Sequence, residues 1–206
     1  MSSTHHAERR IYVACLASYN SGILHGEWID TEGKDADDIQ DEVNAMLRAS
    51  PCPNVVVTCP HCDGDREICD PATSEMRASP TCKGTGQVPS AEEWAIHDHE
   101  GFGGLLGEYD SFERVAQLDA ALEEHGEAFL AFLSAFGSDA DIDRFGDAYR
   151  GEYDSERAFA EEWAIEGGLI DAGHPMFSYI DWDHYWSGDL QHSFVFEDGH
   201  MFDRNW

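Results

Sequence analysis

The sequence predicts an α+β protein, and three observations carry this prediction. Short apolar runs rich in β-branched residues, such as Ile11–Ala17 and Val55–Thr58, are typical of strands. Apolar residues recur at helical spacing in residues 35–50 and in most of residues 110–166. Between these regions, residues 59–89 are rich in Cys, Gly and Pro and almost devoid of large apolar side chains, which indicates an inserted module.

The N-terminal elements are expected to be a strand pair followed by a helix. Ile11–Ala17 and Ile23–Ile29 are strand-like, and the Asn20–Gly22 segment between them has turn chemistry. Residues 35–50 predict a helix with acids in its first turn, where the helix dipole favours them. Its apolar stripe consists of Ile39, Val43, Met46 and Leu47.

The remaining elements are mainly helical, with a hairpin at the end. Trp94–Asp98 is too short for its periodicity to distinguish a strand from a helix. A helix is expected from Asp110, which has capping-pair spacing to Glu113. Further helices are expected after Gly126, where aromatic and Leu residues recur at helical spacing, and over residues 139–149 and 154–166. Two apolar runs around Asp198-Gly199 predict a terminal β-hairpin.

Composition excludes several classes of protein. Hydrophobic residues make up 42% of the chain and aromatic residues 12%, which is too much for a disordered acidic tail. The chain has no run of 18 apolar residues, so no membrane span is expected. The polar N-terminus lacks the apolar core of a signal peptide, so we expect a cytoplasmic protein.

Charge is the strongest functional signal in the sequence. The chain has 42 Asp and Glu against 12 Lys and Arg, a net charge of −30. Solubility alone needs a net charge of only about 2–8. After residue 90 there are 28 acids and only five Arg, whereas the alternative explanation, adaptation to high salt, predicts an even spread. The excess therefore indicates a basic partner, bound cations or imitation of a polyanion.

The charge density fits imitation of DNA. Duplex DNA carries one charge per roughly 1.7 Å of axis, so 30 charges correspond to about 50 Å, or about 15 base pairs. A chain with this charge is not expected to bind nucleic acid or anionic lipid itself.

No catalytic motif is present. The sequence lacks a helical HExxH motif, a phosphate-binding Gly loop and a GxSxG elbow, so we expect no enzyme. His97 and His99 lie beside Asp98 and Glu100, which leaves a metal-dependent hydrolase open as an alternative hypothesis.

Several strings resemble one known family. Residues 10–30, RIYVACLASYNSGILHGEWID, resemble the opening of ArdA-type antirestriction proteins. Residues 92–102, 149–162 and 179–182 resemble later parts of the same family, in the same order. The resemblance covers most of the chain outside residues 51–90.

The resemblance implies an elongated α+β protein of three small domains. These would be an N-terminal α/β domain at 1–102 with a Cys-rich insertion at 51–90, a helical acidic domain at 103–148, and a C-terminal α+β domain at 149–206 through which the protein forms a homodimer. It also implies a gene carried on mobile genetic elements, and mimicry of DNA that inhibits type I restriction–modification enzymes. The acids expected to form the mimic surface are Glu108, Asp110, Glu113, Glu123, Glu124, Glu127, Asp139, Asp141, Asp143, Asp147, Glu152, Asp154, Glu156, Glu161, Glu162 and Glu166.

The Cys-rich segment departs from shorter members of that family. Residues 59–66 and 79–86 resemble two CxxCxGxG knuckles of the DnaJ type, with Ser79 at the first Cys position of the second knuckle. Cys69 is expected to supply the missing thiolate, with His61 or Cys52 as substitutes. The expected structural zinc ligands are Cys59, Cys62, Cys69 and Cys82. Free thiols and a redox role for Cys59 and Cys62 are the alternatives, and a zinc-knuckle module for protein interaction or chaperone activity is the alternative function.

Overall fold

The computed structural model describes residues 8–206 and confirms the α+β class. The chain divides into two compact units, one that ends at Asp119 and one that spans Ala120–Trp206. The strands are β1 Arg10–Cys15, β2 Gly26–Asp30, β3 Val55–Thr58, β4 Glu67–Cys69, β5 Met76–Ala78, β6 Gln87–Ser90, β7 Trp94–Glu100, β8 Tyr149–Glu152, β9 Phe194–Glu197 and β10 His200–Asp203. The α-helices are α1 Leu16–Asn20, α2 Ala36–Arg48, α3 Phe112–His125, α4 Glu127–Phe136, α5 Phe145–Ala148, α6 Glu156–Glu166 and α7 Trp182–Gly188.

An antiparallel sheet of order β2-β1-β7 organises the first unit. Ile11 pairs with Ile29, and both side chains are buried, as expected for strands that share one core face. The predicted strand pair is confirmed, although residues 16–20 form a one-turn helix where the first strand was expected to continue to Ala17. Trp94–Glu100, ambiguous from sequence, is the third strand.

Helix α2 contacts strands β1 and β2 through the predicted apolar stripe. Ile39, Val43, Met46 and Leu47 are all buried. The helix begins with a reciprocal capping box, in which the Asp35 side chain accepts a hydrogen bond from the Asp38 N–H at 2.9 Å. The apolar periodicity and the acids of the first turn therefore predicted this helix, and the structure adds the capping box.

Helix α3 is capped by a different residue from the one predicted. The Ser111 hydroxyl accepts a hydrogen bond from the Arg114 N–H at 3.3 Å, and the helix starts at Phe112. Asp110 instead accepts from the Gly107 N–H at 2.8 Å and closes the preceding turn. A serine next to the first helical residue satisfies the same orphan donors, so the capping-pair spacing was misleading here.

The second unit contains a sheet of order β8-β10-β9. Strands β9 and β10 form the predicted hairpin, with Met201 paired with Phe196. Asp198 and Gly199 have φ of 48° and 86°, the left-handed conformation that tight hairpin turns require.

Aromatic side chains fill the core of this unit. Phe129 and Phe132 of α4 are fully buried, and the Phe132 ring lies 5.5 Å from Phe145 and 5.4 Å from Trp206. A second cluster joins α6, α7 and β9 through Phe159, Trp186 and Phe194. The predicted helix over residues 154–166 is confirmed, with Ser155 as its N-cap.

The predicted continuous helix over residues 139–149 is wrong. Residues 142–144 form a 3-10 turn, and α5 is only one turn long. Gly137 ends α4 with φ of 102°, and the Asp141 side chain accepts from the Asp143 N–H at 3.2 Å, which favours a turn over an α-helix. Asp139, Asp143 and Asp147 therefore do not share one face of a continuous helix.

Candidate functional site

The second unit carries the denser negative charge. Residues 120–206 contain 20 acidic residues and four Arg, a net charge of −16. Residues 1–119 contain 22 acidic residues and eight Lys or Arg, a net charge of −14 over a longer stretch.

The sixteen acids predicted to form a mimic surface all reach solvent. Asp110 and Glu161 are half-buried and the other fourteen are exposed. Three of them, Glu108, Asp110 and Glu113, belong to the first unit, and the rest lie in the second. Because the folded chain keeps these carboxylates in water, they are available to a basic partner.

The few cations of the second unit are already engaged within it. Arg150 pairs with Asp203 at 2.8 Å, and Arg157 pairs with Glu161 at 2.9 Å. Arg144 lies 3.3 Å from Asp147. Each of these pairs neutralises one acid, so most of the carboxylates keep their charge.

Tyr153 lies near two of these acids, and its pKa is raised. Burial raises the pKa of the Tyr153 hydroxyl, and the charges of Glu162 and Glu166 raise it further. A raised tyrosine pKa is the expected response to a negative potential, because that potential disfavours a phenolate.

The cysteine centre lies in the first unit, between the paired strands β3–β6 and β4–β5. Cys59, Cys62 and Cys82 are buried, and their three sulfur atoms lie within 4.8 Å of one another. The Cys62 and Cys82 sulfurs are 3.7 Å apart. Val57, Ile68 and Val88 are the only apolar side chains other than the cysteines in the cluster around them, so this core is small.

Thiols in this centre have perturbed acidities. Burial raises the pKa of the Cys82 thiol, but hydrogen bonds from the Gly86 N–H, the Ser79 hydroxyl and the Gly84 N–H outweigh burial and lower it to about 6. The Gly86 nitrogen lies 3.3 Å from the Cys82 sulfur. Burial raises the pKa of the Cys62 thiol, and the neighbouring Cys59 adds to this effect. A cysteine binds a metal ion as a thiolate, so backbone donors that stabilise the thiolate favour metal binding. Three buried cysteines in one cluster could hold a metal ion.

The structure does not place Cys69 with the other three cysteines. Cys69 is exposed at the end of β4, and its sulfur contacts the Asp70 carbonyl at 3.9 Å. The proposed substitutes also lie outside the group: His61 is exposed and bonds the Thr81 hydroxyl at 2.8 Å, and Cys52 precedes β3. The residue that sequence reasoning passed over is Ser79, whose hydroxyl lies 3.8 Å from the Cys59 sulfur.

The histidines considered for a hydrolase line an open cavity of about 450 Å³. His97 makes an edge contact with Tyr19 at 4.9 Å, and the Asp98 carboxylate accepts from the His99 backbone N–H at 2.8 Å. That carboxylate bonds a backbone donor, an arrangement that gives no specific support for acid–base chemistry.

One comparison with known proteins gives a match that covers nearly the whole chain. Among curated proteins, none matches the chain significantly. None of the helices in residues 8–206 combines the length and apolar character that crossing a membrane requires. A family model described as antirestriction protein (ArdA) matches residues 11–202, nearly the whole chain. The chain therefore belongs to the ArdA antirestriction protein family.

Proposed function

We propose that this protein is a DNA mimic that occupies the DNA-binding groove of type I restriction–modification enzymes and thereby inhibits them. The observation that carries the proposal is that fourteen of the sixteen predicted carboxylates are exposed and the other two half-buried, on a chain of the antirestriction family. Lys and Arg in such a groove pair with carboxylates as they pair with phosphates, and both kinds of contact release counterions. The protein acts by binding in the cytoplasm and catalyses no reaction.

Electrostatic steering and salt sensitivity follow from this mechanism. A field of this strength accelerates encounter with a basic groove, and the affinity falls steeply with ionic strength. The protein itself is not expected to bind DNA, because both carry the same sign of charge.

The decisive experiment compares two triple variants with equal charge change. The test variant, Asp154→Asn with Glu162→Gln and Glu166→Gln, removes three exposed charges from the second unit. The control, Asp65→Asn with Glu67→Gln and Glu75→Gln, removes three exposed charges from the Cys-rich module. Restriction of unmodified phage is measured in cells with a type I system, and inhibition in vitro is measured against salt.

The wild type is expected to relieve restriction in that assay, and duplex DNA should compete with it. The test variant should inhibit less and with a shallower salt dependence, by up to about three in the logarithmic slope. The control should retain wild-type inhibition. Equal inhibition by the wild type and the test variant, or equal loss in both variants, would contradict mimicry by the second unit.

We further propose that residues 149–206 form a homodimer contact. Large apolar side chains are exposed there, with Leu169 at 68% and Tyr179 at 78% of full exposure. A twofold copy would double the length of duplex that the charge matches, to about 30 base pairs. Light scattering on the wild type and on Leu169→Glu with Tyr179→Ser tests this: a monomeric wild type would exclude the dimer.

The cysteine centre supports a second proposal, that the Cys-rich module binds a structural zinc ion. Three buried sulfurs in a segment with a small apolar core are typical of zinc-stabilised modules. This observation also favours the alternative function, a zinc-knuckle module for protein interaction with acidity serving solubility.

The two functions separate when the module is removed. Thr58 and Gln87 are paired neighbours in β3 and β6, so replacing residues 59–86 by Asn-Gly leaves a two-residue hairpin in their place. Mimicry predicts that this variant still inhibits restriction, whereas the interaction-module hypothesis predicts complete loss.

A further inference from the structure

The Cys-rich module consists of two copies of one structural unit, offset by 20 residues. Asp63 and Gly64 have φ of 45° and 85°, and Lys83 and Gly84 have φ of 55° and 84°. The next left-handed residues, Arg66 and Gly86, follow at the same offset, with φ of 70° and 79°. An arginine with a positive φ is uncommon, and here it repeats the conformation of a glycine.

The contacts between the two copies are reciprocal. The Cys59 N–H donates to the Gly86 carbonyl at 2.9 Å, and the Ser79 N–H donates to the Arg66 carbonyl at 2.8 Å. Side chains meet their counterparts in the other copy, with Cys62 beside Cys82. Approximate twofold symmetry therefore relates the two knuckles.

That symmetry places Ser79 at the position equivalent to Cys59. Ser79 is fully buried, and its hydroxyl lies 3.8 Å from the Cys59 sulfur, inside the cysteine cluster. The residue equivalent to Cys69 in the second copy is Pro89, which lies in strand β6. The symmetry therefore assigns Cys69 to a strand and not to the cysteine centre.

The three sulfurs lie within 4.8 Å of one another, and two distances among the four atoms match those of a tetrahedral site. An ion bound about 2.3 Å from sulfur and about 2.1 Å from oxygen separates adjacent sulfurs by about 3.8 Å, and sulfur from oxygen by about 3.6 Å. The structure has 3.7 Å between the Cys62 and Cys82 sulfurs and 3.8 Å between the Cys59 sulfur and the Ser79 oxygen.

We propose that the Ser79 hydroxyl is the fourth ligand, so that the module holds its metal through three thiolates and one oxygen. This inference rests on the zinc proposal above and puts Ser79 in the place of Cys69 in the proposed ligand set. A neutral hydroxyl is a harder and weaker ligand than a thiolate, so this position is the exchangeable one of the four. The site therefore binds zinc less tightly than a four-cysteine knuckle.

The first test counts ligands in the full-length wild-type protein. X-ray absorption of the zinc-loaded protein is expected to show three sulfurs and one oxygen. Cobalt titration should give a tetrahedral spectrum whose thiolate charge-transfer intensity corresponds to three Co–S bonds. Four sulfurs in the wild type would overturn the inference and leave the zinc proposal intact. Absence of both zinc and cobalt binding would overturn both.

Three variants assign the fourth position. Ser79→Cys should raise the charge-transfer intensity by one third and tighten zinc binding by at least about tenfold, as thiolate replaces hydroxyl. Ser79→Ala should keep three thiolates and weaken binding by about 10- to 100-fold. Cys69→Ser is the matched control and should change neither quantity.

Opposite results are equally clear. A Cys69→Ser variant that loses one quarter of the charge-transfer intensity would assign the fourth position to Cys69. Ser79→Ala binding zinc as tightly as the wild type would show that the hydroxyl is not a ligand, whatever the other variants do.

Discussion

The Cys-rich module at residues 55–90 and the second unit at residues 120–206 achieve order in opposite ways. The module has five acids and three bases and a core of three thiols with three aliphatic side chains. The second unit has 20 acids and four bases around two aromatic clusters. One region is nearly neutral with little apolar core, and the other is strongly acidic with a large one.

The difference indicates that different interactions stabilise the two regions. Self-repulsion of exposed carboxylates costs stability, and a dense aromatic core offsets that cost in the second unit. The module has no comparable core, so under the zinc proposal its order depends on turn geometry and on a bound ion. The acidic surface and the cysteine centre are therefore expected to respond to different perturbations.

Metal removal should have the largest effect and should be confined to the module. Structural zinc contributes apparent binding free energies of about 10 kcal/mol or more, which becomes folding free energy in a small module. Either a chelator or Cys62→Ser is expected to abolish protection of backbone amides in residues 55–90. Hydrogen exchange measured by mass spectrometry should show unchanged protection in residues 120–206.

Cys69→Ser is the control for that experiment, because this exposed thiol lies outside the cluster. Protection of residues 55–90 that persists in a chelator would show that turns and β-pairing suffice, and the contrast between the two regions would disappear.

Phe132→Ala should have the next largest effect, and in the other region. The Phe132 ring is fully buried and lies 5.9 Å from Phe202 and 6.2 Å from Phe129. Truncation of such a ring leaves a cavity and costs about 4 kcal/mol. In denaturant unfolding followed by tryptophan fluorescence, the free energy of unfolding of the second unit should fall by this amount. The zinc affinity of the module should stay unchanged. Leu130→Ala, at a 42% exposed position of the same helix, should cost far less.

Local sequence signals predicted most elements of the fold. Helix α2 and the β9–β10 hairpin followed from an apolar stripe and from a turn dipeptide, because their stabilising contacts are close in sequence. The prediction of a helix over residues 139–149 was wrong. The spacing of acids and apolar residues there fits a helix, but Gly137 and the Asp141 side chain favour a turn. Short-range capping decides such cases, and periodicity does not detect it.

Only part of the cysteine centre could be predicted from the sequence. The CxxC spacings identified Cys59, Cys62 and Cys82, since both knuckles are visible in the sequence. Cys69 was the expected fourth ligand because thiolates are the usual zinc ligands. Only the backbone symmetry shows that Ser79 is the counterpart of Cys59, and this equivalence leads to the proposed fourth ligand.

The buried Arg9–Asp119 pair was missed altogether. The Arg9 Nε lies 2.6 Å from the Asp119 carboxylate, which also accepts from the Thr31 hydroxyl at 3.0 Å. These residues are 110 positions apart, and an acid in a helix of an acid-rich chain gives no sign of burial.

Asp119→Asn should therefore behave unlike the substitution of exposed acids. Loss of this carboxylate from a buried pair is expected to destabilise the first unit by about 3 kcal/mol. The triple variant Asp154→Asn, Glu162→Gln and Glu166→Gln should leave stability unchanged or raise it by a few tenths of a kcal/mol, because it relieves repulsion. Thermal unfolding of both proteins measures the contrast. Equal losses would show that exposed acids also support the fold.

The smallest expected effect is a pH dependence in the second unit. Burial raises the pKa of Asp203, but hydrogen bonds from the Asn205 N–H at 2.8 Å and from Arg150 at 2.8 Å outweigh burial, and the net pKa lies below the usual 3.8. A carboxyl with a depressed folded-state pKa stabilises the fold above its unfolded pKa, and this contribution is lost as pH falls through the folded value.

Asp203→Asn should consequently cost about 1 kcal/mol or less at pH 6, and the difference from the wild type should vanish well below pH 4. Exposed acids have the opposite sign, because their protonation relieves repulsion, so the comparison must be made between the two proteins at each pH. Denaturant unfolding at pH 6, 4 and 3 measures it. A difference that does not diminish as pH falls from 6 to 3 would mean that Asp203 acts through packing and not through its charge.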